Sequence, residues 1–435
     1  MESPPLRYRV LLCALSPFIV FLVLMQALKS RSKRFALQRL GFAYPANSVQ
    51  PVWIHCASVG EATAALPLVK KILEKLPDQQ LVVSTTTPTG AATVARWNLA
   101  NVRHQYLPVD FNFAVKKVVA AARPSVLIVM ETEIWPTLIN TSVAAGIPVV
   151  MVNGRIGEKT ENSPSWMRMV YLQALGKVDK ILAKSETDKD RFQILGGKNI
   201  EVIGNIKFAA VSNDNEHIEC EITRPFWLLA STHDDEEEQI CSLLGNYPAC
   251  GKKLLVIAPR HPDRSNSLQQ MLKRTGLAYA VRSKAQPIDE NTQVYLADQL
   301  GEMMMWFSHA EIAFMGGSLV PVGGHNVLEP AAAGVPIVCG PHLHNFSEEA
   351  ELLLSAGSLL KCKTADEVLH QVDALLNDVD RCKSMGRAGR DVLAGKSDVA
   401  DRYLEELLPF IEPDLIDPLL VDPPLVDPPL VDDNE

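Results

Sequence analysis

From Val52 onward, short apolar runs alternate with amphipathic stretches. The run VWIHCAS gives way to a helical pattern over Glu61 to Leu76, LVVSTTT to one over Ala91 to Asn98, and VLIVME to one over Trp135 to Ala145, before PVVMVN. Such alternation predicts a parallel sheet with crossover helices. A second series opens near Pro225 with WLLAST and continues through LLVIAP, QVYLAD, AEIAFMG and PIVCG, each followed by a helical stretch. Two doubly wound α/β halves are expected, joined across Gly204 to Arg224, where Ser212, Asn213, Asp214, Asn215 and Glu216 make a polar break. Ligands of open α/β sheets sit at the carboxyl ends of strands, so the residues just after the apolar runs carry the interest.

The two ends of the chain follow other patterns. Val10 to Leu28 form 19 nearly uncharged positions, close to the roughly 20 residues that span a bilayer as a helix. The run is long for a signal peptide and lacks a small-x-small cleavage site, so an uncleaved anchor is expected. Lys29, Arg31, Lys33, Arg34 and Arg39 follow it, against Arg7 and Arg9 before it, which predicts a cytoplasmic body. Pro17 would kink the helix and also permits a shallow insertion in one leaflet. At the far end DPLLVDPPLVDPPLVDDNE repeats a Pro- and Asp-containing unit, expected to be disordered or extended. The resulting division is 1–45 anchor and basic segment, 46–211 first domain, 212–411 second domain and 412–435 acidic tail.

Composition narrows the class. With 435 residues, 47% apolar, 21% charged and 6% aromatic, the chain is globular and excludes a collagen or disulfide scaffold. The formal charge of −9 is nearly all tail, since residues 412–435 hold eight acids and no Lys or Arg. The body thus has no basic excess, and no nucleic-acid partner is expected. Eight scattered cysteines without a CxxC pair read as reduced thiols, and no metal or cofactor is expected.

Chemistry concentrates at the strand ends. After the first run, Ser58 is a candidate N-cap and Glu61 falls in the first helical turn, where a carboxylate is favoured whether or not it also works as a general base. After VLIVM, Glu131 and Glu133 stand with Trp135 before Pro136, a residue suited to a first helical turn. One acid could cap that helix, leaving the other for a ligand. Lys207 in NIKF could neutralise a phosphate or carboxylate. In the second half Pro259-Arg260-His261-Pro262 makes a rigid turn presenting a guanidinium that suits a phosphate. Gly316-Gly317-Ser318-Leu319 and Gly323-Gly324-His325-Asn326 precede a helix expected near Asn326, and such loops let backbone N–H groups approach an anion. Asn326 and Glu329 fit a capping-box-like pair, or Glu329 could hold ribose hydroxyls. Neither GxxxxGK[ST] nor GxGxxG occurs, which disfavours a P-loop NTPase or a dinucleotide dehydrogenase.

In order, SVGE (Ser58 to Glu61), TTTPTG, METEIWP, NIKF, PRHP, MGGSLV, GGHNVLEPAA and GPHLHNF resemble the 3-deoxy-D-manno-octulosonic acid (Kdo) transferases of lipopolysaccharide assembly. The resemblance runs from the anchor to about residue 410. It implies a GT-B fold, two Rossmann-like domains facing a cleft, and inverting transfer of Kdo from CMP-Kdo to the tetraacyldisaccharide lipid A precursor, lipid IVA, at the cytoplasmic face of the inner membrane. By motif, Glu61 matches the proton acceptor, and Glu131 and Lys207 match transition-state stabilisers. CMP is implied at Pro259, Arg260, Gly301, Glu302, Met303, Asn326, Val327, Leu328 and Glu329. Cys56, where Ala or Ser is expected, and the DPPLV tail depart from the pattern. The competing readings are a GT-B enzyme using a UDP-sugar and a membrane-tethered, non-catalytic scaffold.

Overall fold

A computed structural model of the chain describes residues 5–45, 49–209 and 220–412. The polar break at 212–216 and all of the repeat tail beyond Glu412 lie outside the described residues. The chain folds as two units, one comprising 1–210 together with 398–435 and the other 211–397.

The first unit is built on seven strands: β1 (Val52–His55), β2 (Leu81–Thr85), β3 (Val102–Tyr106), β4 (Val126–Met130), β5 (Val149–Gly154), β6 (Lys180–Ala183) and β7 (Ile200–Val202). They form one parallel sheet in the order β3-β2-β1-β4-β5-β6-β7, with Ile54 of β1 opposite Val83 and Ile128. Side chains alternate across the sheet. Val52 and Ile54 therefore join Leu68 and Ile72 of the helix Val59–Lys75 on one face, while Trp53 joins Val118, Leu138 and Ile139 on the other. Winding reverses between β1 and β4, so the open switch point lies at their carboxyl ends.

The second unit repeats the architecture with β8 (Phe226–Thr232), β9 (Leu254–Pro259), β10 (Tyr279–Val281), β11 (Val294–Leu296), β12 (Ala310–Met315), β13 (Ile337–Cys339) and β14 (Leu359–Lys361). Its parallel order is β10-β11-β9-β8-β12-β13-β14, and its winding reverses between β8 and β12.

Several elements depart from the sequence reading. Thr87 caps the second helix by accepting from Gly90 N with Pro88 in the first turn, so that helix runs Pro88–Arg96 and starts before Ala91. The helix expected near Asn326 begins two residues later and is short, Leu328–Ala333. The last helix, Val399–Ile411, assigned by sequence to the second domain, belongs to the first unit. Its Tyr403, Leu407 and Ile411 enter the same core as Val52 and Ile54, and Tyr403 Oη donates to Gly204 O at 2.7 Å.

At the N-terminus, Leu6–Ser30 is one 25-residue helix, long and apolar enough to cross a membrane. Ser32 caps the next helix, Lys33–Arg39, which covers the edge strand β3: Gln38 Oε1 accepts from Tyr106 N, and Arg34 donates to His104 O. That cover satisfies an edge that would otherwise stay open.

Candidate active site

Glu61 is set by the turn between β1 and the helix Val59–Lys75. Ser58 caps the helix by accepting from Glu61 N at 3.2 Å, and its hydroxyl donates to Glu61 Oε1 at 2.8 Å. Ala57 N donates to Glu61 Oε2 at 2.8 Å. Glu61 is only 8% exposed. Burial, then the charge of Glu133, pushes its pKa up from 4.5 to about 7, with Glu131 adding to the rise and the Ser58 and Ala57 hydrogen bonds opposing it. Capping and a carboxyl poised near neutrality thus coexist in one residue.

Across the switch point, the turn after β4 carries the other acids. Glu131 sits in the left-handed region, at φ +54°, a strained conformation outside glycine. Its amide donates to Val152 O at 2.9 Å, and its Oε1 lies 4.0 Å from Lys207 Nζ. Lys207 belongs to the short turn Ile206–Phe208, started by Asn205, whose Oδ1 accepts from Lys207 N, and pinned by Asn153 Oδ1, which accepts from Ile206 N at 3.1 Å. Glu133 accepts from Trp135 Nε1 at 2.7 Å and lies 3.7 Å from His55 Nε2. His55 is fully buried, with Nδ1 2.9 Å from Ser84 Oγ.

The sequence reading let one of these acids cap the helix Pro136–Ala144. The structure gives that task to Asp110, whose carboxylate accepts from Thr137 N at 2.9 Å and Leu138 N at 3.0 Å. Asp110 was missed because it lies 27 residues upstream, with no local pattern to mark it. Glu61, Glu131 and Lys207 are thereby gathered at one sheet edge, with Glu133 beside them.

In the second unit the glycine-rich loop corrects the expectation of an anion site. Its amides already hold an internal anion: the fully buried Glu236 accepts from Gly317 N at 2.7 Å, Ser318 N at 3.0 Å, Leu319 N at 2.9 Å and His233 N at 2.9 Å. Gly323 N and Gly324 N go to Gly317 O. A Cβ on Gly316 would stand 2.5 Å from Ser231 O, so glycine is required there by close backbone approach. The loop is a structural nest whose occupant is 81 residues upstream of Gly317.

The remaining candidates lie after neighbouring strands of that sheet. Pro259 ends β9, and Arg260 N donates to Thr232 O at 3.0 Å while its side chain is exposed. Asn326 Oδ1 accepts from Leu328 N, and its Nδ2 donates to Glu329 Oε1 at 3.0 Å, an Asx turn in place of a full capping box. Burial pushes the Glu329 carboxyl up, against the Asn326 hydrogen bond and the charge of Arg260. Val327 and Leu328 are buried. Gly301 precedes Glu302, which accepts from Arg282 Nε at 2.7 Å, and Met303 opens the helix Met303–His309. His233, which the sequence did not single out, stands beside His325 of the glycine-rich loop, their Nε2 atoms 2.8 Å apart and the rings nearly parallel. Burial, then His233, Arg260 and His261, lowers the His325 pKa to about 4.

The family model for 3-deoxy-D-manno-octulosonic acid transferase (kdotransferase) matches residues 34–210. A 3-deoxy-D-manno-octulosonic acid transferase of Haemophilus influenzae is 35% identical over 423 residues, covering 93% of this chain and 98% of that protein. One from Bordetella pertussis is 33% identical, covering 85% of this chain and 89% of its own. By structure, a UDP-GlcNAc 2-epimerase from Neisseria meningitidis superposes with a TM-score of 0.58 at 14% identity, over 83% of this chain and 100% of that one, a likeness of fold alone. Identity sustained along nearly the whole of the Haemophilus protein, on two Rossmann-like units, makes the chain a member of the Kdo transferase family and a glycosyltransferase of the GT-B type.

Proposed function

We propose that the chain transfers Kdo from CMP-Kdo to lipid IVA at the cytoplasmic face of the inner membrane, inverting the anomeric centre. The first unit would take the acceptor, and the second would take CMP through Pro259, Arg260, Gly301, Glu302, Met303 and Asn326 to Glu329. In this reaction an acceptor hydroxyl oxygen attacks the anomeric carbon of Kdo. The bond from that carbon to the phosphate oxygen breaks, and CMP leaves with the electron pair as a phosphate monoester that needs no proton. The attacking hydroxyl does need to lose one, and Glu61 takes it. Lys207 meets negative charge developing on the leaving phosphate, and Glu131 meets positive charge developing on the sugar carbon.

The observation that carries this reading is the Glu61 carboxyl held near pH 7, on the same sheet edge as the Glu131–Lys207 pair. A base titrating near the working pH is both available and strong enough to accept the proton. The test is Glu61→Gln assayed with CMP-Kdo and lipid IVA, products weighed by mass spectrometry. Turnover should fall by about 10²–10⁴-fold while CMP still binds, and near-normal turnover would overturn the assignment.

A further inference from the structure

The helix Leu6–Ser30 is long enough to span a bilayer, yet it contacts the first unit near both of its ends. Near its start, Tyr8 Oη donates to Asp110 Oδ2 at 2.7 Å, and Asp110 is the buried carboxylate that caps Pro136–Ala144. Toward its end, Val23 is buried in a small apolar cluster with Phe35, Tyr106 and Val109, joined by Ile19 and Ala27. Between these points the less exposed positions are Leu12, Ser16, Ile19 and Val20. Together with Tyr8, Val23 and Ala27 they recur at steps of three and four, the spacing of one helical stripe. The helix therefore lies along the domain.

Tyr8 and Ala27 are 19 residues apart, about 28 Å along a helix, nearly the whole hydrocarbon thickness of about 30 Å. A spanning helix with Ala27 beside the body would carry Tyr8 to the opposite interface, out of reach of Asp110. The face turned away from the domain is apolar from Val10 to Met25, with Phe18 59% and Phe21 57% exposed. Charge gathers at both ends, in Arg7 and Arg9 and in Lys29, Arg31, Lys33 and Arg34, all exposed. Spanning would place the first pair on the far side of the membrane. Lying flat places both groups among the headgroups of one anionic leaflet, their stems reaching upward from the apolar zone. The apolar surface also continues on the domain, where Phe42 and Phe113 are exposed with Lys117 Nζ 4.6 Å from the Phe42 ring centre.

We infer that this helix is a monotopic anchor, immersed lengthwise in a single leaflet of anionic lipid, with both ends on the side of the catalytic body. The inference rests on the membrane association proposed above. The test uses the full chain with a short protease-cleavable tag before Met1, expressed in cells from which spheroplasts and inverted inner-membrane vesicles are prepared. The expected result is a membrane-bound chain whose tag is removed from inverted vesicles and retained in intact spheroplasts. A tag cut only from spheroplasts means that the helix spans, which overturns the inference and leaves membrane association intact. A chain found in the soluble fraction, whether as a monomer or as copies paired through this face, overturns the membrane association as well.

Discussion

Ser58 and Glu61 hold each other twice, the hydroxyl accepting from the Glu61 amide at 3.2 Å and donating to its carboxyl at 2.8 Å. The helix cap thereby fixes the direction in which a buried acid points. Because that acid titrates near pH 7, the rate of Kdo transfer should rise with pH through about 7 as Glu61 ionises, and Glu61→Gln should lose this limb along with its activity. Initial rates of both proteins across neutral pH check this.

The same shift makes a stability prediction of opposite sense. A folded pKa raised from 4.5 to about 7 favours the protonated form, so stability present below about pH 4.5 is lost as pH rises through 7. Glu61→Gln escapes that loss. Its stability relative to the parent should therefore increase from pH 4.5 to pH 8, by an amount on the order of 1–3 kcal/mol, read from denaturant unfolding at the two pH values.

Lys207 lies 4.0 Å from Glu131, and Glu131 is one of the charges that raise Glu61. Lys207→Ala should lower kcat by roughly 10²-fold and move the ascending pH limb upward, because Glu131 then acts uncompensated. Weakened CMP binding at unchanged kcat would overturn the transition-state role.

Glu236 and Arg260 should separate structure from binding in the second unit. Glu236→Ala leaves four backbone amides without their acceptor and should destabilise by about 1–3 kcal/mol for each amide that stays buried and unpaired, read as a lower melting transition. Arg260→Ala removes an exposed side chain and should leave Tm unchanged while weakening CMP binding by roughly 10–100-fold, measured by calorimetry.

Leu407 is fully buried against the first unit's core. Leu407→Ala should cost about 2–5 kcal/mol, whereas Tyr403→Phe, which keeps the ring and loses the hydroxyl that donates to Gly204 O, should cost about 1 kcal/mol. Denaturant unfolding of the two variants tests the ranking.

What the sequence revealed followed what was local. Strands β4 and β9 are unbroken apolar runs and β1 is apolar up to His55, and Ser58 precedes its helix by one residue, so pattern and cap could be read together. The edge strand β3, VRHQY, and the three-residue β7, IEV, are polar or short, and no apolar run marks them. Site residues tied to family motifs, Glu61, Glu131 and Lys207, came together at one sheet edge. Asp110 and Glu236 did not announce themselves, because the amides they serve are 27 and 81 residues away. Sequence places the helix Val399–Ile411 only by its position in the chain, and position carries no information about which core receives it.

That last helix also sets an order of events during synthesis. The first unit is interrupted after residue 210 and resumes at 398, so its core lacks Tyr403, Leu407 and Ile411 until the intervening second unit has been made. Domains fold as units, ordinarily the N-terminal one first. Here residues 211–397 form a continuous body that emerges whole from the ribosome while its predecessor still waits for a missing piece. The second unit should mature before the unit carrying Glu61, which delays assembly of the proposed base until residues 398–411 have joined it.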